Sequence, residues 1–135
     1  MSRAASDMSR NSPGMGQSAL LSAGSITGDD VCNLKEEKLG TIHELMLDTH
    51  NGTIRYAVLS SGGFLGMGDR LFAIPWSALK LDREHKRFTL DVDMDRLKDA
   101  PGFDKDNWPS FSDPTWSASV DSYYRASNPG TTHAR

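Results

Sequence analysis

Residues 39–60 read LGTIHELMLDTHNGTIRYAVLS, and this stretch decides the fold. Its two apolar segments, 39–48 and 53–60, are rich in residues that favour β-strands. The turn between them contains Asn51 and Gly52, which accept the positive φ angles of a tight hairpin turn. The stretch therefore predicts two antiparallel strands joined by a hairpin.

The apolar pattern changes its face within the first of these strands. Ile42 and Leu45 lie three residues apart, whereas side chains on one face of a regular strand repeat every two residues. One extra residue near His43 and Glu44, a β-bulge, would produce this change and would bend the strand around the corner of a small barrel. A strand that is buried on both faces is the alternative.

Further short apolar segments surround this hairpin and are separated by turn residues. Short strands at this spacing are typical of an antiparallel barrel or sandwich. No helical pattern of ten or more residues separates them, which argues against a parallel α/β sheet. We therefore expect an all-β fold, a small antiparallel barrel of about six strands with a short helix at 93–100. The additional strands are predicted at 30–33, 70–76, 78–81 and 87–92.

The two ends of the chain differ in composition from this middle part. Residues 1–22 contain no aromatic residue and are rich in Ser, with Gly, Asn and Pro among them, which is typical of a disordered segment. Residues 103–124 hold six of the eleven aromatic residues, so we expect an ordered, mostly irregular extension with a short helix near 117–125. The sequence thus predicts a disordered segment 1–22, a barrel domain 23–103, an ordered extension 104–125 and a flexible tail 126–135.

The overall composition excludes several functional classes. Fifteen Lys and Arg residues against 18 Asp and Glu residues give a net charge of -3, without the basic excess of a nucleic-acid-binding protein. No apolar run approaches the roughly 18 residues that cross a bilayer, and no secretory signal is recognisable, so we expect a cytoplasmic protein without membrane insertion. The single cysteine, Cys32, excludes an internal disulfide.

The glycine-rich segment 61–70 resembles a phosphate-binding loop only in part. Gly63 and Gly68 have the right spacing, but Asp69 and Arg70 replace the Lys-Ser/Thr pair that would bind the phosphates. We interpret the segment as a wide hairpin loop. The apolar side chains at its tip either cap the barrel or form a contact surface: Phe64, Leu65 and Met67.

The remaining polar residues do not form a recognisable metal or catalytic motif. Asp91, Asp93 and Asp95 match the start of a calcium loop, but Arg96 and Gly102 stand where glycine and glutamate are required. The four histidines lack the spacing of a zinc site, and the serines lack the G-x-S-x-G pattern of a hydrolase. We therefore expect no catalytic residues, no metal and no cofactor, and predict that the protein is not an enzyme.

Five motifs occur in the order and with the spacing of a known family. They are G-x-x-V-x-N (28–33), L-G-x-I-x-E-L-x-L-D (39–48), G-x-I-R-Y-A-V-L-S-x-G-G-F-L-G-x-G (52–68), A-I-P-W-x-A-L-K-L-D (73–82) and F-x-L-D-V…L-x-x-A-P-G-F (88–103). Together they resemble a PRC-barrel domain, as in the cytoplasmic domain of the photosynthetic reaction centre H subunit. The extension, with W-P (108–109), D-P-x-W (113–116) and Y-Y (123–124), is similar to stand-alone bacterial members of that family.

The resemblance implies a small barrel of about six strands, but the roles of its relatives do not transfer by fold alone. The H subunit has an N-terminal membrane helix, and a ribosome maturation factor with a related barrel has a separate RNA-processing domain. We expect neither feature in this sequence. A further departure is the first turn, 33–39, which lacks the glycine often found there.

Our leading hypothesis is a non-catalytic PRC-barrel module that acts through contacts with a protein partner or with a second copy of itself. Aromatic side chains are frequent anchors of such contacts, although here they could instead cover the barrel of their own chain. The residues predicted for the interaction surface are Phe64, Leu65, Met67, Trp108, Trp116, Tyr123 and Tyr124.

Two other functions make different demands on the structure. An accessory role in electron or proton transfer, related to the photosynthetic reaction centre, or in small-ligand binding is implied only by the resemblance to the H subunit. Clustering of His43, Glu44, Asp48 and His50 around one cleft would favour it, and their dispersal would count against it. A role in RNA processing or ribosome assembly would require a basic face, and the best candidate, the hairpin 80–87, contains interleaved acidic residues. We therefore expect no nucleic-acid partner.

Overall fold

The computed structural model describes residues 20–62 and 70–126. The predicted loop-tip residues Phe64, Leu65 and Met67 lie outside these ranges, as do 1–19 and 127–135. In the described part, seven strands form one sheet. The strands are β1 (Asp30–Cys32), β2 (Lys38–Asp48), β3 (Thr53–Ser60), β4 (Arg70–Pro75), β5 (Leu79–Asp82), β6 (Arg87–Leu90) and β7 (Gly102–Asp104).

Three α-helices and one 3-10 turn complete the described elements. They are α1 (Ala23–Ile26), the 3-10 turn Trp76–Ala78, α2 (Met94–Lys98) and α3 (Pro114–Ala126). None of these helices has both the length and the apolar character that crossing a membrane requires.

The helix α3 is longer than the one predicted near 117–125, because it begins at Pro114. Asp113 caps the helix by accepting a hydrogen bond from the Thr115 amide at 2.9 Å, and proline is favoured at the first helical position.

The strand order is β5-β6-β1-β2-β3-β4-β7. All pairs are antiparallel except β1 and β6, which are parallel. The predicted antiparallel barrel of about six strands therefore needs correction in three details. The sheet has seven strands, and one of its pairs is parallel. In the described part of the chain the sheet is also open, because its end strands β5 and β7 do not pair with each other. A parallel pair needs a long connection, and residues 33–86 supply it.

The β-bulge predicted in β2 is confirmed. Ile42 pairs with Leu59 and Glu44 pairs with Val58, so His43 is the extra residue. The alternative of a strand buried on both faces is not observed, because His43 and Glu44 are exposed.

The turn between β1 and β2 forms without glycine. Glu36 adopts a φ of 67°, a value that glycine would adopt more easily. The buried side chain of Asn33 stabilises the turn, since its Oδ1 accepts hydrogen bonds from the amides of Lys35 and Glu37, both at 3.0 Å. Its Nδ2 donates to Glu37 Oε1 at 2.8 Å. The Asn33 side chain therefore accepts the hydrogen bonds of two turn amides, in addition to the backbone bonds that join Asn33 to Glu36 and Glu37.

The neighbouring strands β3 and β4 are buried on both faces. Tyr56, Ala57, Val58 and Leu59 are all buried although they point alternately to opposite sides of the sheet. One face belongs to the core shared with β1, β2 and β6. The helix α3 packs on β4, and rings of the C-terminal extension contact Tyr56 on the other face. The extension, predicted to be mostly irregular, is helical over the 13 residues of α3 and covers apolar strand surface that would otherwise contact water.

Candidate interaction surface

Four rings from the C-terminal part of the chain form a continuous set of contacts, which we call the aromatic cluster: Phe103, Trp108, Phe111 and Trp116. Phe103 lies on β7 with its ring centroid 5.1 Å from that of Trp108. Phe111 follows at 6.0 Å from Trp108 and at 4.8 Å from Trp116. These separations lie in the range in which tilted and edge-to-face ring pairs attract each other. The cluster is therefore a packed unit rather than a set of independent side chains.

Tyr56 of β3 anchors the aromatic cluster to the sheet. Its ring centroid lies 5.9 Å from that of Phe111 and 5.5 Å from that of Trp116, both in edge-to-face arrangements. Tyr56 is itself buried. Most of the cluster thus covers the barrel of its own chain.

Trp108 is the exposed member of the aromatic cluster. Its relative exposure is 38%, and its indole Nε1 donates a hydrogen bond to the Lys105 carbonyl oxygen at 2.8 Å. The bulge of β2 places the His43 ring 6.3 Å from the Trp108 ring. Because the indole N–H is already bonded within the chain, the surface that Trp108 presents is its apolar ring.

Tyr123 and Tyr124 connect α3 to the rest of the fold. The Tyr123 hydroxyl donates a hydrogen bond of 2.5 Å to the Arg96 carbonyl oxygen, and the Arg96 guanidinium lies 3.9 Å from the Tyr123 ring centroid. Tyr124 is buried in the core. Of the residues predicted for an interaction surface, Tyr124 is therefore a core residue, Tyr123 and Trp116 are half-buried, and Trp108 is exposed.

The basic hairpin 80–87 is partly neutralised by ion pairs. Arg87 contacts Glu36 at 2.9 Å and donates from Nε to Asp82 at 3.1 Å. Hydrogen bonding to Glu36 raises the pKa of Arg87 above its ordinary value, and the same bond lowers the pKa of Glu36. Burial alone would raise the pKa of Asp82, but hydrogen bonds from His85 and Arg87 outweigh it and leave that pKa below its usual value.

We expect these pairs to make stability depend on pH in the acidic range. The pKa values of Asp82 and Glu36 are lower in the folded state than their ordinary values of 3.8 and 4.5. The ion pairs therefore contribute their full stabilisation at a pH above these ordinary values. They lose it as the pH falls through the lower pKa values of the folded protein. Urea unfolding should show that Arg87→Met is less stable than the wild type at pH 7 and that the difference narrows towards pH 3. The control Lys80→Met, in the same hairpin, should follow the wild-type pH dependence. A difference between Arg87→Met and the wild type that stays constant with pH would contradict this prediction.

The residues proposed for a proton relay are dispersed. His43 and Glu44 lie at the bulge of β2, whereas Asp48 and His50 lie at its far end, about 16 Å along an extended strand. Asp48 stabilises the hairpin turn, because it accepts hydrogen bonds from the Asn51 side chain at 2.8 Å and from the His50 amide at 3.0 Å. The Asn51 side-chain bond lowers the pKa of Asp48. This dispersal counts against a relay.

Residues 20–62 and 70–126 contain no group of three His, Cys, Asp or Glu side chains placed to hold a metal ion. Cys32 is buried in β1. The expectation that the protein uses neither a metal nor a cofactor stays a prediction.

The fold and the surface together define a class of protein, a small β-sheet domain whose C-terminal extension covers the sheet and exposes an aromatic side chain. The family model of the PRC-barrel domain matches residues 20–97, and the chain belongs to this family. The four residues of the aromatic cluster come after residue 97 in the sequence, outside the range that the family model matches. Tyr56, which anchors the cluster to the sheet, lies inside that range. No curated protein matches the chain.

Among solved structures, the chain is similar to a candidate 16S ribosomal RNA processing protein, RimM, from Pseudomonas aeruginosa. The sequence identity is 21% and the TM-score is 0.40. The similarity covers 58% of this chain and 49% of that chain, so it spans about half of that protein.

Proposed function

We propose that this protein is a non-catalytic PRC-barrel module that binds another protein, or a second copy of itself, through the aromatic cluster, with Trp108 at the centre of the contact. The observation that carries the proposal is the exposed Trp108 ring, held by neighbouring rings and by the bond from its Nε1. A large side chain that is already fixed loses little conformational entropy on binding. Tryptophan is among the residues that most often dominate the energy of a protein interface.

The surroundings of Trp108 suit this role. The adjacent residues Asp104, Lys105 and Asp106 are exposed and charged. An apolar centre inside a polar rim is the usual organisation of a protein interface. A role in RNA processing would need a basic face instead, and Arg87, in the best candidate hairpin, is paired with Glu36 and Asp82.

The proposal predicts that Trp108→Ala weakens partner binding by at least about tenfold without unfolding the domain. A photo-crosslinking amino acid replacing the exposed Asn107 would capture the partner in the source cell, and sedimentation velocity would detect self-association. The matched control is Leu81→Ala, because Leu81 has a relative exposure of 37% and lies on β5, at the other end of the sheet order from β7.

We expect an adduct or a dimer that Trp108→Ala removes and Leu81→Ala preserves, with both variants keeping the wild-type unfolding transition. A folded Trp108→Ala variant that retains the full yield of adduct or dimer would contradict the proposal. A strictly monomeric chain that forms no adduct from position 107 would also contradict it.

A further inference from the structure

An open groove lies between β3, the 3-10 turn Trp76–Ala78 and α3. It encloses about 450 Å³, which is within the usual volume range of small-ligand sites. Ile54, Pro75 and Trp76 supply apolar surface to its lining. The groove is therefore large enough for a molecule of one or two rings, and Trp76 contributes an aromatic side chain to its lining.

The charged side chains of the groove are Arg55, Asp121 and Arg125. The lining thus contains more basic than acidic side chains, although the whole chain has a net charge of -3. The Arg55 guanidinium is 4.0 Å from the Asp121 carboxylate, which is a long separation for an ion pair, and its side chain is 47% exposed. It also lies 4.9 Å from the Tyr56 ring centroid. Arg55 is thus oriented by an aromatic ring but only loosely held by its carboxylate.

A buried hydroxyl accompanies these charges. Tyr124 lines the groove with a relative exposure of 2%, and its hydroxyl has no hydrogen-bond partner among the described residues. A buried hydroxyl without a partner costs about 1–3 kcal/mol. Within residues 20–62 and 70–126, a residue that lines the groove therefore carries a buried hydroxyl whose hydrogen-bonding capacity is not used.

We propose that this groove binds a small planar anion, an aromatic carboxylate, with its ring against Trp76 and its carboxylate between Arg55 and Arg125. Guanidinium groups match the geometry of a carboxylate, and hydrogen bonds between these charged groups are roughly twice as strong as neutral ones. The weak pairing of Arg55 with Asp121 lets an incoming carboxylate replace Asp121 as the partner of Arg55. This inference does not depend on the protein-binding role proposed for Trp108.

The probe pair 2-naphthoate and 2-naphthamide tests the proposal, because the two molecules share a ring system and differ in charge. Titration of the full chain, followed by amide NMR shifts, should show saturable naphthoate binding with the largest shifts at Ile54, Ser77 and Asp121. We expect naphthamide, and naphthoate with Arg55→Met, to bind about tenfold more weakly, which corresponds to about 1.4 kcal/mol. The matched control Lys80→Met removes one exposed cation outside the groove and should leave the affinity unchanged.

The amide spectrum also reports whether each variant is folded. Naphthoate shifts centred on Trp108, equal affinities for the two probes, or no saturable binding would each overturn the proposal. Arg125→Met gives a second test that avoids the Tyr56 contact, and an unchanged affinity in both arginine variants would likewise overturn it. Trp108→Ala should leave naphthoate binding intact, so the result is independent of the interaction surface.

Discussion

Gly40→Ala is expected to lower the free energy of unfolding by about 3 kcal/mol. Gly40 is buried in β2, where it pairs with Val31 on one side and approaches β3 on the other. A Cβ at this position would lie 2.2 Å from the backbone oxygen of Ser60 and 3.1 Å from the Leu59 Cδ1. Because the closest atom belongs to the backbone, only a separation of β2 from β3 can relieve the overlap.

The control for this variant is Gly52→Ala in the hairpin turn. Gly52 has a φ of +70°, and an added Cβ would meet nothing within 4 Å. Its replacement should therefore cost only the left-handed backbone conformation, about 1 kcal/mol. Urea unfolding of both variants measures the difference. Equal losses would show that the close approach of β2 and β3 does not constrain the fold.

Phe72→Ala is expected to lower the free energy of unfolding by about 4 kcal/mol. Phe72 lies on β4, is fully buried, and pairs with Leu59 of β3 and Gly102 of β7. A Cβ added at Gly102 would lie 2.9 Å from the Phe72 ring, so the ring also packs against the β7 backbone. Hydrogen-bonded strands on both sides prevent the sheet from closing over the cavity.

Phe72→Leu retains most of the buried volume and should lose less than half as much stability. Hydrogen exchange adds a local measurement, because β7 contacts the ring directly. We expect the amides of β7 to lose protection in Phe72→Ala more than those of β6. A loss below about 1 kcal/mol in Phe72→Ala would mean that the core can repack, contrary to this prediction.

Several features were predictable because their causes are local. The spacing of Ile42 and Leu45 predicted the bulge, since strand side chains alternate with a period of two wherever the strand lies. The Asn51-Gly52 turn predicted the β2–β3 hairpin in the same way.

Other features depend on partners far away in the sequence. The strand β7 is only three residues long, follows Pro101, and exists because it pairs with Arg70–Phe72 at the free edge of β4. No local sequence pattern predicts that β1 and β6 pair in parallel, or that the sheet is open between its end strands. The number of strands and their order could not be read from propensities that describe single segments.

The candidate interaction surface was likewise predictable only in part. The aromatic residues of the extension were identified in the sequence, but which ring is buried and which is exposed depends on where α3 and β7 lie on the sheet. Tyr124 faces the core and Trp108 faces solvent beside His43, although both belong to the same aromatic segment.

The sequence by itself determined six of the seven described strands, the bulge, the hairpin and the family, because alternation, turn residues and motif order are properties of neighbouring residues. Only the tertiary structure decided the exposure of Trp108 and the meeting of Arg55, Asp121 and Arg125 in one groove. Burial and electrostatic contact act through space, and α3 brings residues 121 and 125 to β3 from more than 60 positions away along the chain.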